Sequence, residues 1–300
     1  MRGALSIIGA GRVGRALGTR LHQLGWRIGS VVTQREATAR RAVRSIGDGK
    51  ARATLARDLL NSRIILICTP DDSVGHVAGE LARIGAEELR GKIVLHTSGA
   101  LNSSALHALR DCGAFVGSMH PLQSFSGVAI PPLEGNVFAI EGDAPAVRLA
   151  RQIVRALGGL PVQISAGSKA LYHAAAAFAA GHVLAIEEAS ARMLMLTGMK
   201  RNEAVRALLQ LTRQVLDNFE RLGPRAAWTG PLARGDYGVV AAHLRAMKPL
   251  PREFAKSYAA LNDLAALVLS SDSAAAVAEV NSAAAHSSTN IKAHFAGGKV

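Results

Sequence analysis

Cysteine is nearly absent. Cys68 and Cys112 are the only two in 300 residues, too few for a disulfide scaffold or a zinc cluster, and their scarcity fits a reducing, cytoplasmic setting. Aromatic residues make up 4% of the chain, which favours close helix packing over an aromatic-rich β-sandwich. The ten His are scattered without paired ligand spacing, so no metal site is expected. No helix-turn-helix, zinc finger or aromatic RNA-reading motif appears, and nucleic acid is not expected as a partner. Met1–Leu17 carries an Arg and an apolar stretch, but no cleavage site follows and its Gly pattern suits a strand and turn. The run Ala170–Ile186 lacks Asp, Glu, Lys and Arg. It is somewhat short for a span and reads as a buried soluble helix, so no membrane partner is expected.

Acids are also scarce where bases are dense. Residues 1–63 hold 13 Lys and Arg against Glu36, Asp48 and Asp58, so about +10 of the formal +13 lies in the first fifth of the chain. Such an excess predicts an anionic partner. What the chain has in quantity is hydrophobic residues, 49% of the total, which excludes wholesale disorder and supplies a core for one large or two ordinary domains.

The first half alternates short Ile/Val/Leu runs with amphipathic stretches. Leu5–Gly9, Ile28–Thr33, Ile64–Cys68, Ile93–His96, Ala114–Ser118 and Val137–Ile140 read as strands, with Val162–Ser165 as a last edge strand. Arg12–Leu24, Glu36–Ile46, Asp72–Ile84, Ser103–Arg110 and Ala144–Leu157 read as helices between them. The pattern predicts an α/β, doubly wound parallel sheet of Rossmann type over residues 1–165. Strand signals then stop. Ser168–Leu196, Arg201–Leu222, Trp228–Met247 and Pro251–Leu269 read as helices of an all-α C-terminal domain, residues 166–300. A short helix near Ser273–Val280 and a mobile tail from about residue 271 complete it.

Gly9-Ala10-Gly11-Arg12-Val13-Gly14 is a G-x-G-x-x-G between a strand and a helix, the context that makes this pattern informative. Gly9 permits the tight turn, Gly11 lets backbone approach a pyrophosphate, and Gly14 lets the helix pack near the strand. At the tip of the second strand, Val32-Thr33-Gln34-Arg35 has no acid to accept from an NAD ribose. Thr33 and Arg35 suit a 2′-phosphate instead, so NADP is expected over NAD. Thr69 and Pro70, after the Ile64–Cys68 strand, place backbone along the same ligand. The arginines can also form a solvated face, with Glu36 pairing Arg40 at i, i+4.

Ligands of such sheets bind beyond the carboxyl ends of the strands. His96-Thr97-Ser98-Gly99-Ala100 and Ser118-Met119-His120-Pro121 fall there, and Ser98 and His120 are the candidates for substrate contact. Lys169 and His173 share a helix face at i, i+4, a cation beside a titratable imidazole. One can stabilise a developing oxyanion and the other supply a proton. Arg234 can bind a carboxylate, with Asp236 to fix it.

The motifs Gly9–Gly14, His96–Ala100 (HTSGA), Gly117–Phe125 (GSMHPLQSF), Lys169–Ala175 (KALYHAA) and Thr229–Asp236 (TGPLARGD) together resemble a bacterial family that joins a Rossmann-like domain to a C-terminal helical domain of unknown function. That family is similar to the β-hydroxyacid dehydrogenases, ketopantoate reductase and pyrroline-5-carboxylate reductase. The resemblance implies a C-terminal domain like that of 6-phosphogluconate dehydrogenase, and a homodimer formed through it. Lys169 matches the catalytic Lys of the β-hydroxyacid dehydrogenases. His173 stands where they carry a substrate-binding Asn, and Gly181 where Asn is also common. The expected activity is NADP-dependent hydride transfer with a small oxo acid or imine. The alternative is a non-catalytic NADP-binding sensor.

Overall fold

The computed structural model describes residues 4–270 apart from 128, and a few positions between 272 and 282. The expected tail from about residue 271, and most of the helix expected over 273–280, lie outside the described residues. Contacts divide the chain into two units, Met1–His182 and Val183–Val300.

The first unit is built on a twisted sheet of eight strands: β1 Leu5–Ile8, β2 Ile28–Val32, β3 Lys50–Arg52, β4 Ile64–Ile67, β5 Ile93–His96, β6 Phe115–Pro121, β7 Val137–Gly142 and β8 Leu160–Gln163. Their spatial order is β3-β2-β1-β4-β5-β6-β7-β8. Every neighbouring pair is parallel except β6 with β7. The chain runs outward from β1 to β3, then returns across β1 to β4 and proceeds the other way. The direction therefore reverses between β1 and β4, which opens a crevice at their carboxyl ends.

Alternation along each strand feeds two core layers. Ile64 and Leu66 of β4 join Leu5, Ile7 and the helices α1 (Arg12–Gln23), α2 (Glu36–Ile46) and α5 (Ala144–Ala156) on one face. Ile65 and Ile67 join Ile8, Val94, Val116, α3 (Asp71–Leu89) and α4 (His107–Asp111) on the other. Leu66 is 0% exposed, and truncating such a side chain to Ala costs about 2–5 kcal/mol. The register aligns Val32, Ile8, Ile67, His96 and Ser118 in one row. The residues just beyond that row form the crevice lip.

Several elements differ from expectation. The three-residue β3 was not anticipated. The helix expected over Ser103–Arg110 is a 3-10 turn, Ser103–Leu106, followed by α4. The helix expected as Ser168–Leu196 consists of α6 (Lys169–Ala177), a π turn at Phe178–His182 and α7 (Val183–Leu196). The stretch Ala166–Leu196 is long and apolar enough to cross a membrane by length and composition. The run Ala170–Ile186, expected to be buried, is open in the single chain: Leu171 is 76% and Leu184 71% exposed.

The second unit contains α7, α8 (Arg201–Leu222), α9 (Pro224–Ala227), α10 (Tyr237–Ala246) and α11 (Arg252–Leu269). Arg201 on α8 pairs with Glu188 on α7 at 2.7 Å. The helix expected over Trp228–Met247 does not form until Tyr237. Gly230 and Gly235 take φ of +102° and +75°, and Leu232–Arg234 is a single 3-10 turn between them.

Candidate functional site

β1 delivers Gly9 to the crevice in the left-handed region, φ +89°. A Cβ there would lie 2.7 Å from the Cys68 carbonyl and the Thr69 nitrogen, and one at Gly14 would strike the Gly9 carbonyl oxygen. Both positions therefore require glycine for the turn to pass this close to β4. Gly11 instead faces open space, with nothing within 4 Å of an added Cβ. α1 begins at Arg12 with no side-chain cap and no acid in its first turn, so its free N–H groups are available to an anion. Ala10 is buried and Val13 half-buried behind the turn. Thr69 carries a buried hydroxyl without a hydrogen-bond partner, and Pro70 leads into α3. Ala10, Gly11, Arg12 and Arg15 line a cavity of about 410 Å³ with Ser126 and Gly127. Arg12 donates to the Phe125 carbonyl at 3.4 Å and Arg15 to that of Gly127 at 2.9 Å, so α1 holds the loop after β6.

At the β2 tip, Thr33 donates from its hydroxyl to the Arg35 carbonyl at 2.8 Å. The exposed Arg35 guanidinium has no partner among the described residues. Glu36, the nearest acid in sequence, is held by Arg40 at 2.6 Å. The tip presents a free cation and no free carboxylate, which fits a 2′-phosphate better than a bare ribose. A dinucleotide thus has a turn, an anion-binding helix end and an unpaired cation in one unit.

The second cluster lies beyond β5 and β6. The His96 ring is fully buried. Its Nδ1 accepts from the Ser98 N–H at 3.2 Å, and Nε2 lies 3.1 Å from the Asn102 carbonyl. That pattern fixes the neutral tautomer with the proton on Nε2. Burial lowers its pKa to about 4, the nearby Lys169 adding to the effect. The Ser98 hydroxyl accepts from Ala100 and Leu101 N–H groups at 3.2 and 2.9 Å, shaping its own loop. Asn102 caps the 3-10 turn, its side chain accepting from the Ser104 N–H at 3.0 Å.

Lys169 opens α6 and is 1% exposed. Its ammonium donates to the Ser98 carbonyl at 2.6 Å and to the Ser118 hydroxyl at 2.8 Å, joining the loop after β5 and strand β6 to α6. Burial lowers its pKa to about 8, against the pull of Glu141. Glu141 is itself 4% exposed and accepts from the Ser103 N–H and hydroxyl at 2.7 and 2.8 Å. His120 lies against Gly99. Its Nδ1 is 2.9 Å from the Tyr172 hydroxyl, and its ring stands edge-on to His173 with centroids 6.1 Å apart. Burial, then Lys169, lowers the His120 pKa to about 4, and burial raises that of Tyr172 to about 12. Gly99 is the gap between the two imidazoles. A Cβ there would lie 2.8 Å from His120 Nε2 and 2.5 Å from His173 Cδ2.

The first unit thus brings together Ser98, His120, Lys169 and His173, with Lys169 inside the cluster and His173 exposed. Arg234 belongs to the second unit, where it is exposed and pairs with Asp236 at 3.0 Å. Tyr172 and Glu141 were not anticipated as site residues. The available signals were one of only three tyrosines inside the KALYH motif, and a lone acid at the end of an apolar strand.

The fold and site together define a Rossmann-type protein with an appended helical region. Residues 1–121 match the Rossmann-like domain, and residues 136–264 match a domain of unknown function (DUF2520). The chain carries these two domains in succession, as its motifs suggested. No curated protein matches it. Solved structures do. Protein TM1727 of Thermotoga maritima is 25% identical, with TM-score 0.63 over 84% of this chain and 98% of that one. The reductive aminase of Aspergillus terreus, in complex with NADPH and ethyl-5-oxohexanoate, is 16% identical, with TM-score 0.60 over 85% and 88%. A pyrroline-5-carboxylate reductase of Coxiella burnetii is 14% identical, with TM-score 0.58 over 94% and 99%. The last two likenesses establish shared fold.

Proposed function

We propose that the chain is an NADP-dependent oxidoreductase that transfers hydride between NADPH and a small oxo acid or imine. The observation that carries this is one crevice edge bearing both an anion-binding glycine turn and a half-buried His120–Tyr172 pair beside the buried Lys169. The fold is shared with the reductive aminase seen with NADPH and with pyrroline-5-carboxylate reductase, which supports the same class of chemistry. Residues 1–165 are the cofactor domain and 166–300 the substrate and dimerisation domain in this reading. The unpaired cysteines suit a cytoplasmic protein.

Gly9–Gly14 and Thr69-Pro70 hold the pyrophosphate, and Thr33 and Arg35 the 2′-phosphate. When bound there, NADPH supplies the hydride. The protein supplies substrate orientation and the proton. The Tyr172 hydroxyl donates to His120 Nδ1, which places the imidazole proton on Nε2, at the Gly99 gap. As negative charge grows on the substrate oxygen, Nε2–H stabilises it and passes the proton across, while Tyr172 returns one to Nδ1. The phenolate left behind is a weaker base than an alkoxide, so the transfer runs toward the alcohol. His173 is the exposed second donor beside the gap. Lys169 is a positioning residue: its ammonium fixes the Ser98 carbonyl and Ser118 and stabilises charge from behind them.

Single-turnover oxidation of NADPH against a panel of oxo acids and imines tests the activity. Turnover with at least one member is expected. Tight NADPH binding with no turnover across the panel would instead identify a sensor. NADPH should bind more tightly than NADH, and Arg35→Ala should remove most of that difference. Equal affinities in the wild type would refute the NADP assignment.

We also propose a homodimer formed by the helical domain. The described helices of the second unit bury little beyond small residues such as Ala191, Ala204 and Ala266, while Leu196, Leu211, Leu216 and Phe219 are more than half exposed. A second copy of the chain would cover them.

A further inference from the structure

At the amino ends of β4 and β5, opposite the glycine turn, the first core layer is left open among the described residues. A cavity of about 490 Å³ lies beside Ile64 and Ile93, the first residues of β4 and β5, between Trp26 and the α5 residues Leu149 and Gln152. This volume is in the range that holds small ligands. The floor is apolar. Trp26 and Ile64 are 6% and 4% exposed members of the first core layer, and Ile93 and Leu149 pack against it while remaining partly open to solvent.

The rim is cationic. Arg63 and Arg148 line it, both exposed, and neither guanidinium has a hydrogen bond or ion pair among the described residues. Among the described residues no carboxylate lines the cavity. Two acids close to it in sequence are already engaged: Glu88 by Arg57 at 2.5 Å and Asp143 by Arg110 at 2.9 Å. Interiors are ordinarily packed to leave few voids. Instead two mutually repelling cations stand over an apolar floor. A ligand with an apolar body and one negative head matches both features.

We propose that this cavity is a binding site for a small amphipathic carboxylate, whose apolar body lies on Trp26, Ile93 and Leu149 and whose carboxylate is taken by Arg63 and Arg148. β4 separates it from the glycine turn by four residues, about 13 Å of strand, so its occupant does not compete with a dinucleotide.

The chain has two tryptophans. Full-length protein labelled with 5-fluorotryptophan and carrying Trp228→Phe therefore reports on Trp26 through a single fluorine resonance. The probe is 2-naphthoate, added in the presence of saturating NADPH, with uncharged 2-naphthamide as control. The expected result is a saturable shift of the Trp26 resonance, with binding weakened at least about tenfold for naphthamide and for the Arg63→Gln/Arg148→Gln variant. An unshifted resonance up to the solubility limit overturns the proposal. So does equal binding of naphthamide, equal binding by the double variant, or displacement of NADPH by naphthoate. If NADPH itself does not bind, the same titration without it still decides, so the two readings fail separately.

Discussion

Lys169 is charged, 1% exposed and bonded to two oxygens, one in the loop after β5 and one on β6. Its pKa, lowered by burial to about 8, sets an expectation for activity. The wild-type kcat/KM should fall above about pH 8 as the ammonium loses its proton. Lys169→Met should lower kcat and abolish that alkaline limb, a readout that loss of packing alone would not change. An unchanged limb would remove Lys169 from the mechanism. Tyr172→Phe should lower kcat about a hundredfold or more, within the range for general acid catalysis, with the NADPH Kd unchanged. Kinetics and cofactor titration on the one variant separate these effects.

His96 and His120 give a stability prediction. Each has a folded pKa of about 4 against about 6.5 when unfolded. Between these values the unfolded chain binds more protons, so stability is retained above pH 6.5 and lost as pH falls toward 4. Urea unfolding midpoints across that interval should decrease with acidity, and less steeply in His120→Asn. At this scale the sequence exposes candidates but not partnerships. Lys169 and His120 were readable as unusual residues in special places. That Tyr172 meets His120 across 52 positions, or Glu141 meets Ser103 across 38, depends on tertiary placement that no local pattern encodes.

Elements were legible where hydrophobic period and turn chemistry agree. β1, β4 and β5 are apolar runs bounded by breakers, and α8 was readable end to end from its amphipathic pattern. β3 was not, because Lys50-Ala51-Arg52 has no apolar alternation and owes its place to backbone pairing with β2. The π turn at Phe178–His182 was hidden because an Ala-rich segment looks the same in any helical register. In Trp228–Met247 the helical pattern was overridden by two left-handed glycines. The β1–α1 turn yields a paired prediction. Gly9→Ala should both destabilise the fold, by roughly 1–3 kcal/mol for backbone strain, and abolish NADPH binding. Gly11→Ala meets no protein atom, so it should leave the melting temperature unchanged while raising the NADPH Kd at least about tenfold. Fluorescence titration and thermal melts of the two variants test this, and unimpaired binding by Gly11→Ala would mean the ligand lies elsewhere.

For the whole molecule, the opening inequality of charge and the late surplus of apolar surface ask for different partners. The arginines near residue 35 suit a phosphate, which is why the +13 is poor evidence for nucleic acid. The apolar surplus lies on helices. On α8, Leu211, Val215, Phe219 and Leu222 recur at i, i+4, i+8 and i+11, and each is at least 45% exposed. Among the described residues, one face of this 22-residue helix is thus left without cover. A lone soluble chain rarely exposes so continuous an apolar surface, and a symmetric pair buries it twice in one contact. A membrane would also cover apolar helices, but α8 interleaves these residues with Arg213, Asp217, Glu220 and Arg221, a charge load that the hydrocarbon core disfavours. Light scattering on the full-length protein without detergent should therefore give twice the chain mass. Val215→Glu/Phe219→Glu should shift the mass toward one chain and lower the melting temperature, since folding of the helical domain and association are then linked. A wild type that runs at one chain mass refutes the pair. A wild type that stays in solution only with detergent would return the apolar helices to a membrane.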